Sequence, residues 1–262
     1  MRLPSTCLAV LVIAPLCAYA NPVAVGLGTA ANFAVLGAST VTNTGSSVLT
    51  GDLGLYPGTS ITGFPPGSVT GTTENDNAVA QQAQSDALAA YNFAAGESVT
   101  ENLTGENLGG LTLTPGVYFF MSSAQLTGTL TLDDLGNPNA VFIFQIGSTL
   151  TTASNASVVF IDGGPSDNVF WQVGSSATLG SGTDFDGTIV AEASVTMVTG
   201  ADVTCGRAVA LTGAVTLDTN DVSTGGCAAS TGVPEPSSAS LLLLIGAPGL
   251  LWLRKLKFVR RA

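Results

Sequence analysis

The chain has 262 residues, with 7 Lys and Arg against 18 Asp and Glu, a formal net charge of −11 and no His, and the missing His removes histidine catalysis and His-based metal sites. Six of the seven basic residues fall in the first twenty or last thirty positions, so over 21–232 Arg207 stands alone against 17 acids, a balance of about −16. A chain with so few cations cannot neutralise phosphates, which excludes nucleic acid as a partner.

At the N-terminus, Arg2, an apolar run over 8–17 and then Ala18-Tyr19-Ala20 have the order of a secretory signal peptide with its small-residue cleavage site. The mature chain is expected to begin at Asn21. Residues 21–232 then have the length of one domain with a substantial core. Over 73–76, Thr73-Glu74-Asn75-Asp76 fits a capping box, and Gly96 supplies a stop. Between them Ala80, Ala83, Ala87, Ala90, Tyr91 and Ala94 recur on one helical face. This predicts a helix over about 74–95 whose alanine stripe lies close against a sheet.

The rest of the domain is rich in Thr, Ser, Gly and Val, in short alternating runs broken by Gly, Asn and Asp, the pattern of many short strands. Five runs superpose: LTLDDL (130–135), LTTASN (150–155), ATLGSG (177–182), VTMVTG (195–200) and VTLDTN (215–220). Their second places are Thr131, Thr151, Thr178, Thr196 and Thr216, and in the last four the fifth place is Ser154, Ser181, Thr199 or Thr219. A repeat near twenty residues with one strand signature per repeat predicts a β-solenoid, with the flanking apolar residues inward and the threonines outward in a ladder of rungs about 4.8 Å apart. AVFIFQIG (140–147), NVFWQVG (168–174) and TIVA (188–191) are apolar on both faces, so those strands need an outer cover, and the helix is the candidate. Such a ladder can be no more than a favourable strand surface. It can also order water, since each Thr offers a methyl that water must cage and a hydroxyl that holds a neighbouring water.

Several motifs, taken in order, resemble the microbial secreted ice-binding proteins: LGTAANFAVLGAS (27–39), GDLGLYPGTSITGFPPG (51–67), AAYNFAAG (89–96), LTPGVYFF (113–120), AVFIFQIGSTLTTA (140–153), NVFWQVGSSATLGSGTDFDGTIVA (168–191) and GRAVALTGAVTLDTN (206–220). The resemblance implies a mostly β fold, a discontinuous right-handed β-solenoid of triangular cross-section with one long α-helix packed alongside. It also implies an ice-binding face on strands carrying Thr151, Thr178, Thr196 and Thr216, with N-terminal strands inserted into that face near Ser39 and Thr59. A T-A-x-N motif associated with some active members occurs once, at Thr152-Ala153-Ser154-Asn155, and Gly180 and Asp218 depart from the pattern in other runs. The implied partner is ice or ordered water, engaged by a monomer that needs no cofactor or metal.

Other chemistry has less support. Asp184 with Asp186, or Asp133 with Asp134, supplies paired carboxylates, but neighbours on one strand are too close to bracket a glycosidic bond. Arg207 alone is a thin basis for a lyase, and no calcium-loop spacing is present. The protein is therefore read as non-enzymatic, with a cell-surface or biofilm matrix protein binding exopolysaccharide as the alternative. Cys205 and Cys227 are an even pair in an oxidising compartment and read as a disulfide.

The last segment, 233–262, begins Val233-Pro234-Glu235-Pro236, continues with an apolar stretch over 238–253, and ends with Arg254, Lys255, Lys257, Arg260 and Arg261. Its order resembles a PEP-CTERM sorting tail, which implies recognition by an exosortase and delivery to the exterior or outer surface of a Gram-negative bacterium. A short transmembrane span with a positive flank is the plain physical reading.

Overall fold

Short alternating runs cannot bury a face singly, so they stack. In the computed structural model residues 22–162 and 168–225 are described. They form parallel strands laid down in a repeating order on three walls. The first coil places Phe33–Gly37, Thr40–Thr44 and Val48–Thr50 on successive walls, and the next places Asp52–Leu55, Ser60–Thr62 and Ser68–Val69. After the helix the order resumes with Glu101–Asn102, a single bridge at Asn107 and Thr112–Leu113, followed by Gly116–Phe120, Ala124–Leu126 and Thr129–Asp133, then Phe142–Ile146, Leu150–Thr152 and Ser157–Ile161. The first wall carries the helix, the second is a separate seven-stranded sheet, and the third joins the first through the long strands Asp184–Ala191 and Asp202–Ala210, which bend from one to the other. We call them the helix wall, the hydroxyl wall and the third wall.

The stacking order is discontinuous. The N-terminal coil does not sit beside the coil that follows the helix. It caps the last C-terminal coil, with Val35 opposite Ala208, Val41 opposite Val215 and Val48 opposite Asp221.

Inside, Leu, Val and aromatic side chains from all three walls form one core. Trp171 stacks on Phe144 with centroids 3.8 Å apart and planes at 6°, and it leans on Phe185 at 4.8 Å. The indole N–H donates to the Asp186 carbonyl at 3.0 Å, so the one polar atom of the ring is satisfied. Outside the helix wall, Phe33, Leu36, Val117, Val141, Ile143, Phe170, Val190 and Val209 form a second cluster closed by Ala83, Ala87, Ala90 and Ala94. The expected alanine stripe is therefore the buried face of the helix, and the doubly apolar strands are the ones it covers. Gln145 Nε2 ties the helix end down through the carbonyls of Ala94 and Glu97, at 2.8 and 2.9 Å.

The helix starts later than its sequence signal. It spans Ala78–Gly96, capped by Asn77, whose Oδ1 accepts the Ala80 N–H at 3.0 Å. Thr73–Asn75, read as the capping box, is instead a strand paired with Asp52–Leu55. A ladder of backbone hydrogen bonds outweighs a single side-chain cap. Among the described residues no helix is long and apolar enough to cross a membrane. The signal peptide, the 233–262 tail and Cys227 lie outside the described residues, while Cys205 is buried and disulfide-bonded.

Candidate functional site

The hydroxyl wall orders its strands as Ala124–Leu126, Leu150–Thr152, Ala177–Leu179, Val195–Met197, Val215–Asp218, Thr40–Thr44 and Ser60–Thr62. Side chains alternate across a strand. Leu150 and Thr152, Ala177 and Leu179, Val195 and Met197, and Val215 and Leu217 are buried inward, and the residue between each pair faces out. Register then aligns Gln125, Thr151, Thr178, Thr196, Thr216, Thr42 and Thr62 in one row. Adjacent Thr42 and Thr216 hydroxyls are 3.4 Å apart. Six intervals at about 4.8 Å make a row roughly 29 Å long.

Four of the five threonines expected in the ladder are thus brought together. Thr131 is not. It stands on the third wall between Thr112 and Val159, because Leu130-Thr131-Leu132 has the same inward-outward-inward pattern as the ladder strands but belongs to a different corner of its coil. The place expected for it is held by Gln125. Ser39 and Thr59 are also displaced. Both are exposed residues just ahead of the inserted strands, and the outward hydroxyls are Thr42 and Thr62, three residues on in each case. Insertion of N-terminal strands into this wall is present, but at a register set by Val41 and Ile61 pointing inward.

A second row, two residues before the first, was not anticipated. It comprises Ser123, Thr149, Ser176, Ser194, Ala214, Thr40 and Ser60, so six of its seven positions carry hydroxyls. Thr149 Oγ1 donates to Ser123 Oγ at 2.8 Å, and Ser194 Oγ accepts the Ala214 N–H at 3.2 Å. The rows lie about 6.6 Å apart along the strands. The signal was present in sequence as the repeated Ser/Thr-x-Thr of 149–151, 176–178 and 194–196, obscured because alignment began at the Thr.

The row two residues after the first is less regular: Thr127, Ala153, Gly180, Val198, Asp218 and Thr44. Asp218 is the one charged residue in the three rows. Its carboxylate accepts from the Thr199 hydroxyl at 2.5 Å and the Thr219 hydroxyl at 3.3 Å. Ser154, Ser181, Thr199 and Thr219, the fifth-place hydroxyls, stack as turns at the next corner, where the Asn155 N–H donates to the Ser181 carbonyl and the Gly182 N–H to the Thr199 carbonyl. They border the plane and do not lie in it. Thr152 of the T-A-x-N motif points inward, bonded to Thr183 at 2.7 Å.

The carboxylate pairs weighed as acid and base sit in different settings. Asp133 and Asp134 accept from the N–H groups of Leu135 and Gly136, each at 2.9 Å, and so close a turn. Asp184 is exposed on the third wall, whereas Asp186 is buried at the vertex with the helix wall, its Oδ1 accepting from Thr204 at 2.9 Å. Arg207 is consumed by the Ala31 carbonyl, at 2.9 and 2.7 Å, and by Thr188 at 3.2 Å. Among the described residues no group of three acidic or thiol side chains is placed to hold a metal.

Burial pushes the Asp186 carboxyl up to about 6; the Thr204 hydroxyl opposes this, the Asp184 charge adds to it, and the Cys205 N–H opposes it. The native state therefore holds this proton between pH 4 and 6, where the unfolded chain has released it. Stability from this group is full below about pH 4, is lost as pH rises to about 6, and stays lost above, a difference of roughly 3 kcal/mol. Asp202 is raised in the same direction by its own burial. Asp186→Asn should remove the larger part of this fall, giving denaturation midpoints at pH 4 and pH 8 closer together than in the unsubstituted protein.

The hydroxyl wall is thus an extended surface of hydroxyls repeating at the strand spacing. The chain belongs to the ice-binding-like family, whose model matches residues 35–223. It is 57% identical over 236 residues to the ice-binding protein of Nostoc sp. (strain HG1), covering 88% of this chain and 87% of that one. It is 35% identical over 215 residues to the ice-binding protein of Flavobacterium frigoris (strain PS1), covering 76% and 75%. Among solved structures, an ice binding protein from an Antarctic biological consortium aligns with a TM-score of 0.76 at 47% identity, over 80% of this chain and 95% of that one.

Proposed function

We propose that this protein is a non-enzymatic, extracellular ice-binding protein that adsorbs to ice through the hydroxyl wall and so inhibits growth or recrystallisation. The observation that carries the reading is the register that aligns Thr151, Thr178, Thr196, Thr216, Thr42 and Thr62. Water over such a plane is caged by methyls at one fixed spacing and anchored by hydroxyls at the same spacing, so an ordered layer can be shared with a crystal. Each contact is weak, and adsorption comes from many acting together on a rigid body. Ice held at neighbouring footprints must bulge between them, which opposes growth.

The same reading includes export by the signal peptide, a Cys205–Cys227 disulfide, exosortase recognition of the sorting tail and a monomeric working state. Exopolysaccharide binding finds less support on this wall, because no aromatic side chain lies in its first or second row.

The test is uptake of the purified full chain into slowly growing ice; enrichment in the ice fraction over a non-binding control supports the reading, and exclusion removes it. Asp218 marks where the plane is imperfect, since a carboxylate binds water too strongly to share it with a lattice. Asp218→Thr should raise ice retention about twofold or more through the added repeat, read as the protein fraction left in ice at fixed growth rate.

A further inference from the structure

Four helix-wall strands end side by side at the corner where the chain turns onto the hydroxyl wall. Ala191 stands opposite Ala210, Leu36 opposite Val209, and Gly37 opposite Leu55. The residues that follow these strand ends are, in stacking order, Glu192, Leu211, Ala38 and Tyr56. The Leu211 N–H donates to the Ala191 carbonyl and the Tyr56 N–H to the Gly37 carbonyl, so the stacking continues into the corner. Three intervals of about 4.8 Å put the carboxylate-bearing rung roughly 14 Å from the aromatic one.

Between this row and the helix runs an open groove of about 450 Å³, with Gln84 and Leu88 on the helix side and Tyr56, Pro57, Glu192 and Leu211 on the strand side. That volume is in the range of small-molecule sites. Its walls are largely apolar, and Leu88 stands 46% exposed at its edge.

The polar groups of the groove select the sign of charge it accepts. Gln84 spends its Nε2 hydrogens on the carbonyls of Gly37 and Ala210, at 2.8 and 3.2 Å. Thr212, on the same rim, spends its hydroxyl proton on the Glu192 carbonyl at 2.6 Å. The Glu192 carboxylate has no counter-ion: Arg207 is the one cation among the described residues, and its guanidinium is held by Ala31 and Thr188. An anion entering here would meet a carboxylate and no cation, within a domain whose balance is about −16. A cation would meet a carboxylate beside apolar surface, where partial loss of water strengthens their attraction.

We propose that this groove binds small organic cations with an apolar body, the ammonium group at Glu192 and the body lying over Leu211 and Leu88 toward Tyr56. The separation of charge from ring sets the ligand's shape: elongated, cationic at one end, and alkyl or aromatic at the other, where the Tyr56 ring can pack against it.

The probe is phenylbutylammonium, titrated calorimetrically into the purified full chain, with phenylbutanol and phenylpentanoate as neutral and anionic counterparts of similar length. The amine should bind at least about fivefold more tightly than the alcohol, and the carboxylate more weakly than either. Glu192→Gln should bring the amine down to the level of the alcohol. Tyr56→Leu should weaken amine and alcohol alike, by about threefold, because both lose the same ring contact. Glu106→Gln removes an equal charge from an exposed residue outside the groove and should leave both affinities unchanged. In the unsubstituted protein the preference for the amine should shrink with added salt while alcohol binding does not, a readout independent of how any variant folds. Absent amine binding, equal affinity for amine and alcohol, or an amine affinity untouched by Glu192→Gln overturns the proposal. An equal loss from Glu106→Gln also overturns it, since that is diffuse attraction to an acidic surface.

Discussion

Thr196→Tyr/Thr216→Tyr is expected to reduce uptake into ice by about tenfold or more while leaving the fold intact. The two residues are adjacent rungs at the middle of the row. A phenol ring at each stands several ångströms above the hydroxyl plane and keeps a flat surface off the neighbouring rungs, so that losses multiply across a multivalent contact. Stability should change by no more than about 0.5 kcal/mol, as for surface substitutions generally. The inward neighbours Val195, Met197, Val215 and Leu217 are untouched, and Tyr is itself a good strand residue. Ice uptake and a thermal melt measured on the same preparation separate lost binding from lost folding.

Trp171→Ala is expected to be the most damaging substitution for the fold. The indole is fully buried, stacked on Phe144 and against Phe185, and bonded to the Asp186 carbonyl. Removing it leaves a cavity that the stacked coils cannot collapse into without breaking register, at a cost of about 3–5 kcal/mol. It also leaves the Asp186 carbonyl beside an apolar void. The check is the denaturant midpoint followed by circular dichroism. Ice uptake measured well below the melting transition should remain near that of the unsubstituted protein, since Trp171 belongs to a strand of the helix wall and contributes no side chain to the hydroxyl row.

Much of this arrangement can be read from sequence because a solenoid repeats its local rules. The alanine stripe at 80, 83, 87, 90 and 94 and the doubly apolar runs at 142–146 and 169–173 specify each other, since only an outer helix satisfies both. The ladder is legible wherever Thr follows an inward apolar residue on a short strand. The same rule misplaced Thr131, because the third wall is also half-buried and Leu130-Thr131-Leu132 obeys it equally well. The twenty-residue step from Thr131 to Thr151 matches the later coils, but the true step in that coil runs from Gln125 to Thr151, twenty-six residues, lengthened by the turn that Asp133 and Asp134 close. Val41-Thr42 and Ile61-Thr62 carry the ladder signature, yet their place in the row depends on the N-terminal coil returning to cap Val215–Asp218, a long-range pairing that no local pattern encodes. The helix start failed for a related reason: Thr73–Asn75 can cap a helix or extend a sheet, and an available strand edge decides.

Thr131 and Thr178 give the most direct test of the whole account, because they look alike in sequence and stand on different walls. Ice uptake should be measured side by side for Thr131→Tyr and Thr178→Tyr. The account predicts that Thr178→Tyr lowers uptake severalfold or more and that Thr131→Tyr stays close to the unsubstituted protein. Equal losses, or a loss confined to Thr131→Tyr, would contradict the assignment of ice adsorption to the hydroxyl wall.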